Sequence, residues 1–226
     1  MRALVTGGAG FIGSHVADAL LAAGHEVIVF DDLSTGREGN VPQGARFVRG
    51  DLRDEAAVEA LFAERIDVIA HQAAQTSVSV SVREPLRDAQ VNVLGSLVLL
   101  EAARKHEVGR IVYASTGGAI YGEVPEGERA REDWPARPLS PYACSKLAFE
   151  HYLEAYRREH GLASTILRYA NVYGPRQDPH GEAGVVAIFG RRLIDGQALS
   201  IHAMRDAGDD GCVRDYVYVG DVVRAN

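Results

Sequence analysis

The sequence predicts an α/β fold in which a doubly wound parallel sheet is followed by a small second lobe. Short apolar runs rich in β-branched residues alternate with longer segments in which apolar residues recur every three or four positions. This alternation is typical of βαβ units, and their right-handed crossovers place helices on both faces of one sheet. In such sheets, ligands bind at the carboxyl ends of the strands.

The predicted elements follow one another in a regular order. A first strand at residues 3–5 precedes a helix over residues 11–23, whose apolar residues share one face. A longer helix is predicted over residues 86–104, another begins at Pro141, and a further one covers residues 185–194. The other five strands are predicted at residues 27–30, 47–48, 68–70, 111–113 and 163–167.

Composition and charge exclude several classes of function. The 226 residues, 46% apolar and 24% charged, suffice for a large hydrophobic core. A formal net charge of −7 argues against a nucleic-acid partner, which would require a clustered basic surface. The only cysteines, Cys144 and Cys212, are too few for a disulfide framework, and no leader segment is recognised, so a cytoplasmic location is expected. No membrane span is predicted, because no stretch approaches about 20 consecutive apolar residues, and no metal site is predicted.

A glycine-rich segment lies where the first strand ends and the first helix begins. Gly7, Gly10 and Gly13 follow the spacing Gly-x-x-Gly-x-x-Gly. The missing side chains permit a tight turn and let a phosphate approach the backbone, while the helix that starts at Phe11 and Ile12 presents a partial positive charge. This arrangement predicts the pyrophosphate site of a dinucleotide; the alternative is an ordinary glycine-rich turn.

An acidic residue at the end of the second strand indicates which dinucleotide binds. Asp31 follows the glycine-rich turn at a spacing of about 20 residues, where a carboxylate accepts hydrogen bonds from both ribose hydroxyls and repels a 2′-phosphate. NAD is therefore predicted rather than NADP. The adjacent Asp32 either shares this role or is a solvated loop charge.

A tyrosine and a lysine four residues apart form the predicted catalytic pair. Tyr142 and Lys146 lie on one face of the helix that begins at Pro141, one turn from each other. A free tyrosine titrates at about 10, but the lysine ammonium and a positive nicotinamide both favour the phenolate. Tyr142 is thus predicted to be a general base with a lowered pKa. The alternative is a surface pair without function.

These motifs, in this order, resemble the nucleotide-sugar branch of the extended short-chain dehydrogenase/reductase family. Residues 167–175 and 213–217 resemble two further markers of that branch. The resemblance covers the whole chain and implies an NAD-binding Rossmann domain over residues 1–168 and the start of a nucleotide-sugar-binding lobe over residues 169–226. Members of the family continue further, so this lobe is expected to be incomplete.

The resemblance implies additional contacts to NAD. Asp51 and Leu52, after the third strand, would face the adenine, and the alternative for Asp51 is a helix cap. Ala73 lies in a segment that passes under the cofactor, next to His71, which is expected to be structural. Asn92 matches a helix asparagine near the active site; its alternative is a core asparagine bonded to backbone.

The remaining site residues also come from the resemblance. Thr116 is the first choice, and Ser115 the second, for the strand-end hydroxyl that orients the substrate; both hydroxyls could instead cap the strand end. Lys146 also reaches the nicotinamide ribose, and Tyr169 lies near the nicotinamide. Asn171 contacts the sugar diphosphate, and Arg214 pairs with a phosphate oxygen or, alternatively, with the neighbouring aspartate.

Two glycines after the strand-end hydroxyl favour one activity within the family. Related dehydratases and decarboxylases carry acidic residues where this chain has Gly117 and Gly118. The resemblance therefore implies epimerisation of a UDP-hexose, UDP-glucose or UDP-galactose, at C4 through a 4-keto sugar. A truncated homologue that binds NAD without turnover, and another nucleotide-sugar oxidoreductase or dehydratase, remain as alternatives. A homodimer paired through helices near Val93 and Phe149 is also expected.

Overall fold

A six-stranded parallel sheet forms the centre of the computed structural model, which describes residues 1–125, 127–179, 184–200 and 214–226. The strand order is β3-β2-β1-β4-β5-β6, and every neighbouring pair is parallel. The predicted doubly wound fold is therefore confirmed. The strands are β1 (Arg2–Thr6), β2 (Glu26–Asp31), β3 (Arg46–Arg49), β4 (Val68–His71), β5 (Arg110–Thr116) and β6 (Ser164–Tyr169).

Seven helices accompany these strands in the described part of residues 1–168. They are α1 (Phe11–Ala22), α2 (Glu55–Leu61), α3 (Val78–Arg83), α4 (Pro85–Ala89), α5 (Ser96–Lys105), α6 (Gly117–Ile120) and α7 (Pro141–His160). A short 3-10 turn covers Glu38–Asn40. None of the helices in the described ranges is long and apolar enough to cross a membrane.

Alternate residues along each strand enter two separate cores. Leu4 and Ile69 face a core completed by α2, α5 and α7, whereas Val5 and Val29 face a smaller core completed by α1. Successive side chains of a strand point to opposite faces, so both faces of this sheet are buried. The strands therefore read as continuous apolar runs.

The prediction of one continuous helix over residues 86–104 is wrong. The chain instead forms α4, a π-helical turn at Gln90–Gly95, and then α5. Asn92 lies within that turn and is 1% exposed. A π turn inserts one extra residue into a helix and is frequent at functional sites. The apolar periodicity on either side does not reveal such an insertion.

Helix α7 begins where the sequence predicts. The Ser140 side chain caps it by accepting a hydrogen bond from the Ala143 amide at 3.2 Å, and Pro141 occupies the first helical position. Gly161 ends the helix in the left-handed conformation. This start fixes Tyr142 and Lys146 in the first two turns, beside the ends of β5 and β6.

The structure describes only a few elements after residue 168, where a second lobe is predicted to begin. They include β7 (Asn171–Tyr173), paired in parallel with β8 (Tyr216–Tyr218), together with α8 (Val185–Ile194) and α9 (Val219–Ala225). Helix α8 has the predicted bounds. Helix α9 packs against α1 and buries Val219 and Val222, so it adds to the first part of the chain. Cys212 and Val213 lie outside the described residues.

Candidate active site

The glycine-rich turn is held by direct backbone contacts. Gly7 has a φ of 68°, and a Cβ there would lie 2.6 Å from the Ala73 nitrogen. A Cβ on Gly13 would lie 2.2 Å from the carbonyl oxygen of Gly7. Neither position tolerates a side chain without moving backbone. The turn, the start of α1 and the segment after β4 are therefore packed against one another, as the glycine spacing predicts.

The N-terminus of α1 faces this turn without a side-chain cap. Gly10 is the N-cap residue, and no side chain accepts a hydrogen bond from the first helical turn. The first amides of a helix, here those of Phe11 and Ile12, lack intrahelical acceptors and carry the positive end of the helix dipole. They are suited to bind an anion such as a pyrophosphate.

Asp31 lies at the carboxyl end of β2 and is linked to the glycine-rich turn. It is 8% exposed, and its two oxygens accept hydrogen bonds from the Ala9 amide at 3.0 Å and the Leu33 amide at 2.8 Å. Burial raises the pKa of this carboxyl group, while the two backbone bonds oppose the shift. Each oxygen retains capacity for a hydroxyl donor. Asp32 is exposed and bonds to the Ser34 amide, which favours Asp31 for the ribose.

Asp51 does not cap a helix. Its carboxylate forms a two-pronged pair with the Arg53 guanidinium, which lowers the pKa of Asp51. Helix α2 is capped instead by Asp54, which accepts a hydrogen bond from the Ala57 amide at 3.1 Å. Leu52 is 5% exposed and belongs to the larger core. The adenine contacts of Asp51 and Leu52 stay predictions.

His71 is a structural residue, as expected from the sequence. It is 1% exposed, its Nδ1 lies 2.7 Å from Thr6 Oγ1, and its Nε2 lies 2.9 Å from Ser96 Oγ. Burial lowers the pKa of His71 to about 3, with a smaller contribution from Lys146. The Ala73 amide bonds to the same Thr6 hydroxyl at 3.3 Å, so His71 helps to fix the segment beside the turn.

Asn92 is a core asparagine bonded to backbone, which was the alternative interpretation from the sequence. Its Oδ1 accepts from the Gln75 amide at 2.8 Å, and its Nδ2 donates to the Gln75 carbonyl at 2.9 Å. The same Nδ2 also donates to Asp88 at 3.1 Å. Asn92 therefore holds the loop after β4 from the π turn, and a direct contact of Asn92 with NAD stays a prediction.

The phenol of Tyr142 lies next to Thr116, at the end of β5. Burial raises the pKa of Tyr142 to about 12, opposed by a hydrogen bond with Thr116 and assisted by the negative charge of Asp88. In the protein alone this pKa is thus raised, and the predicted lowering, which requires Lys146 and a positive nicotinamide together, stays a prediction. Burial of the phenol outweighs the other influences on it.

Lys146 is almost completely buried, with 3% exposure. Its Nζ lies 4.5 Å from the centre of the Tyr113 ring, a cation–π contact. Burial lowers the pKa of Lys146 to about 7, and the carboxylates of Asp88 and Glu150 oppose this shift. The charge of this side chain therefore depends on two carboxylates that the sequence did not single out.

The two strand-end hydroxyls have different surroundings. Ser115 is 4% exposed and donates to Glu150 at 2.5 Å, away from Tyr142. Arg168 pairs with the same carboxylate at 2.6 Å and donates to the Tyr121 hydroxyl at 2.7 Å. Ser115 thus belongs to a buried polar network, and Thr116 is the hydroxyl beside Tyr142.

Sequence reasoning missed Glu150 and Arg168. The only available signal was the position of Glu150, four residues after Lys146 on the same helix face. Its partner Arg168 is close only through the pairing of β5 with β6, in which Ser115 lies opposite Arg168. A contact of this kind depends on tertiary structure.

Tyr169 lies opposite Thr116 in the sheet and is held by two amide side chains. Its hydroxyl accepts a hydrogen bond from Asn226 Nδ2 at 2.7 Å and lies 3.4 Å from Gln72 Oε1. Gln72 Nε2 also donates to Asn226 Oδ1 at 2.9 Å. The ring of Tyr169 is therefore fixed between the ends of β4, β6 and α9.

Asn171 and Arg214 are brought together at the start of the second lobe. The backbone amide of Asn171 and its Nδ2 both donate to the Asp215 carbonyl, each at 2.9 Å. Arg214, next in the chain to Asp215, is exposed. This anchors the chain before β8 beside β7, close to Tyr169, and the predicted diphosphate contacts of both residues stay predictions.

The sheet, the glycine-rich turn and the helix that bears Tyr142 and Lys146 define a dinucleotide-dependent enzyme of the Rossmann class. The chain belongs to the NAD dependent epimerase/dehydratase family, which matches residues 3–226. The family resemblance recognised from the sequence motifs is thus confirmed.

Three similar proteins share one activity in their names. The UDP-glucose 4-epimerase of Thermus thermophilus, solved in complex with NAD, is 62% identical with a TM-score of 0.95, covering 100% of this chain and 73% of that one. The UDP-glucose 4-epimerase of Thermotoga maritima, solved with UDP-glucose, is 53% identical with a TM-score of 0.95, covering 100% and 72%. The UDP-glucose 4-epimerase of Mycolicibacterium smegmatis is 49% identical over 231 residues, covering 100% and 72%.

The buried His71 predicts a specific loss of stability in acid. Its pKa is about 3 in the folded chain and about 6.5 when unfolded, so the unfolded chain takes up a proton that the folded chain excludes. The contribution of neutral His71 to the unfolding free energy is complete above pH 6.5 and decreases as the pH falls below that value. Between pH 8 and pH 5 we expect a loss of about 2 kcal/mol from this group.

His71→Asn removes this dependence, so the difference in unfolding free energy between wild type and variant should narrow by about 2 kcal/mol over that range. Urea unfolding at both pH values measures it. His151→Asn, at an exposed position of α7, is the matched control. A gap between wild type and His71→Asn that stays constant with pH would contradict the assignment.

Proposed function

We propose that the chain catalyses NAD-dependent epimerisation of a UDP-hexose at C4, interconverting UDP-glucose and UDP-galactose. The observation that carries this proposal is the position of Tyr142, whose phenol interacts with Thr116 at the carboxyl edge of the sheet. The glycine-rich turn follows another strand at the same edge. The names of relatives up to 62% identical support the substrate and the reaction.

The residues present fit NAD. Two features suit the pyrophosphate: a backbone cradle that a Cβ at Gly7 or Gly13 would fill, and the uncapped start of α1. The buried carboxylate of Asp31 suits the adenosine ribose. Lys146 would hold the nicotinamide ribose. When bound, NAD supplies the hydride acceptor for oxidation of the sugar carbon and the hydride donor for its re-reduction.

The protein's own chemistry is proton transfer at the sugar 4-hydroxyl. Tyr142 Oη accepts that proton as the alcohol is oxidised and returns it when the ketone is reduced, so no net proton is lost. Thr116 holds the sugar oxygen and the phenol in one hydrogen-bonded arrangement. The high pKa of Tyr142, about 12 in the protein alone, means that positive charge near the phenol is needed before it acts as a base.

The glycines after Thr116 favour epimerisation over elimination. A Cβ on Gly118 would have its nearest neighbour, Asn171 Nδ2, at 3.9 Å, so the space would admit an acidic side chain. None is present at position 117 or 118. Without an additional acid or base there, the 4-keto sugar is left to be reduced again on either face.

The central prediction concerns turnover and its base. The wild-type chain should interconvert UDP-glucose and UDP-galactose without added NADH, as followed by proton NMR. Tyr142→Phe removes the proton acceptor and should lower kcat by about 10³-fold. Because the ring remains, NAD affinity measured by calorimetry should change little.

Continuous consumption or production of NADH would instead favour a net oxidoreductase. Loss of the 6-hydroxyl of the sugar would favour a dehydratase. NAD binding without any turnover would favour a binding module. Unchanged kcat in Tyr142→Phe would exclude this tyrosine as the base.

The different surroundings of the two hydroxyls give a second prediction. Thr116→Val keeps the shape of the side chain, removes the hydroxyl beside Tyr142, and should lower kcat by about 10²-fold. Ser115→Ala should lower kcat by less than about tenfold and instead lower the unfolding free energy by about 1–2 kcal/mol, because a buried carboxylate loses a donor. The opposite pattern, with Ser115→Ala the less active variant, would contradict the choice of Thr116.

We also propose that the protein forms a homodimer through α3, α4, the π turn and α7, which pack against one another. Five large apolar side chains are exposed on them: Val78 (43%), Val82 (64%), Leu86 (79%), Leu94 (57%) and Tyr152 (41%). An exposed apolar patch of this kind is typical of a protein interface. Phe149, expected there from the sequence, is 1% exposed and belongs to the core, so it cannot reach a partner.

Light scattering should therefore give about twice the chain mass of 24.4 kDa, and Leu86→Asp with Leu94→Asp should give the monomer because each buries an unpaired charge in the interface. Ile194→Asp, at an 82% exposed residue of α8, is the matched control and should stay dimeric. A monomeric wild type, or a dimer that survives the double change, would contradict the proposal.

A further inference from the structure

Asp88 of α4 is a buried carboxylate that forms no ion pair with any cation in the described part of the chain. It is 0% exposed. Its Oδ1 accepts hydrogen bonds from Gln75 Nε2 at 2.8 Å and Asn92 Nδ2 at 3.1 Å, and its Oδ2 accepts from Ser145 Oγ at 2.5 Å. All three donors are neutral. Such bonds satisfy the oxygens of a buried carboxylate but leave its charge unbalanced.

The positive charge that can balance Asp88 belongs to Lys146, which directly follows Ser145 in the chain. Among the described residues no carboxylate forms an ion pair with Lys146, whose Nζ lies over the Tyr113 ring. The titratable and charged side chains around Tyr142 and Lys146 are Asp88 from α4, His71 from β4, Tyr113 from β5, Glu150 from α7, and Arg168 from β6 through its pair with Glu150.

Two carboxylates act on the lysine, Asp88 and Glu150, and among the described residues only Asp88 is not already held in an ion pair. Burial keeps His71 and Tyr113 neutral near pH 7, since it lowers the pKa of the imidazole to about 3 and raises the pKa of the phenol well above 10. Glu150 is paired with Arg168 at 2.6 Å. Asp88 therefore remains as the counter-charge of Lys146.

We propose that Asp88 is a positioning residue whose negative charge keeps Lys146 in its ammonium form and so sets the pH range in which Tyr142 and Lys146 operate. The kinetic part of this inference rests on the proposed function, whereas the effect on the charge of Lys146 does not. Asp88 touches neither reacting atom; it acts through the lysine and, by its hydrogen bond to Ser145, through the first turns of α7.

The two titrations should respond in the same direction. The carboxylate of Asp88 raises the pKa of Lys146 against the effect of burial, and it also raises the pKa of Tyr142. Removing the charge should thus lower both pKa values. The bell-shaped dependence of kcat on pH should move as a whole toward acid, by at least about half a pH unit.

A matched pair of variants separates charge from hydrogen bonding. Asp88→Asn removes the charge but keeps the contacts, because an amide nitrogen in place of Oδ2 can donate to the Ser145 hydroxyl. Ser145→Ala removes that hydrogen bond and keeps the charge. Asp88→Asn should shift the dependence of kcat on pH toward acid. Ser145→Ala should change the maximum kcat but leave the pH of that maximum unchanged.

The charge of Lys146 can be measured without turnover. Lysine ¹³Cε NMR over pH 5–11, with Lys146 assigned by its loss in Lys146→Arg, gives its titration midpoint. We expect a midpoint at least about half a unit lower in Asp88→Asn than in wild type, and an unchanged midpoint in Ser145→Ala. An inactive wild type would refute the proposed function, and this midpoint would still decide the role of Asp88.

An unchanged midpoint in Asp88→Asn, or an equal shift in Ser145→Ala, would overturn the proposal. Should Asp88→Asn not fold, Asp88→Glu retains the charge and decides instead. A wild-type midpoint in that variant would support the counter-charge, and a midpoint lowered by half a unit or more would overturn it.

Discussion

Backbone contact between the glycine-rich turn and α1 is the constraint on which the rest of the site depends. Position 13 lies so close to the Gly7 carbonyl that a Cβ would be 2.2 Å away. This contact sets how deeply α1 sits over the sheet. Helix α1 in turn packs against α9, and Asn226 at the end of α9 donates a hydrogen bond to Tyr169. The glycine-rich backbone and the side chain of Tyr169 are thereby parts of one packed unit.

Buried charge is the second organising feature. A carboxylate and a guanidinium, Glu150 and Arg168, neutralise each other at 2.6 Å. Lys146 and Asp88 are also buried but form no ion pair, and each contacts neutral groups: an aromatic ring for the lysine, and hydroxyl and amide donors for the aspartate. Ion pairs in contact are fixed, whereas separated charges leave the lysine ready to interact with a ligand. The two arrangements suit a structural role and a functional role respectively.

The fold and the outline of the site were predictable from sequence, because both depend on local patterns. Alternating apolar runs give the sheet, glycine spacing gives the turn, and a spacing of four gives Tyr142 and Lys146 on one helix face. The π turn around Asn92, the choice between Ser115 and Thr116, and the Glu150–Arg168 pair depend on the register of β5 against β6 or on an inserted residue, and no periodicity encodes these. The raised pKa of Tyr142 in the protein alone was not predictable either, because burial is a tertiary property. The boundary near residue 168, the cytoplasmic location and the homodimer stay predictions.

Gly118 links this chain to the other chemistry of its family. A Cβ at Gly117 would press on the Arg168 carbonyl at 3.1 Å, but the nearest atom to one at Gly118 is 3.9 Å away and belongs to a side chain. A new carboxyl group could thus enter beside the reacting sugar by one codon change, with the scaffold left as it is. A change between isomerase and lyase chemistry at this position would then leave the surrounding backbone in place.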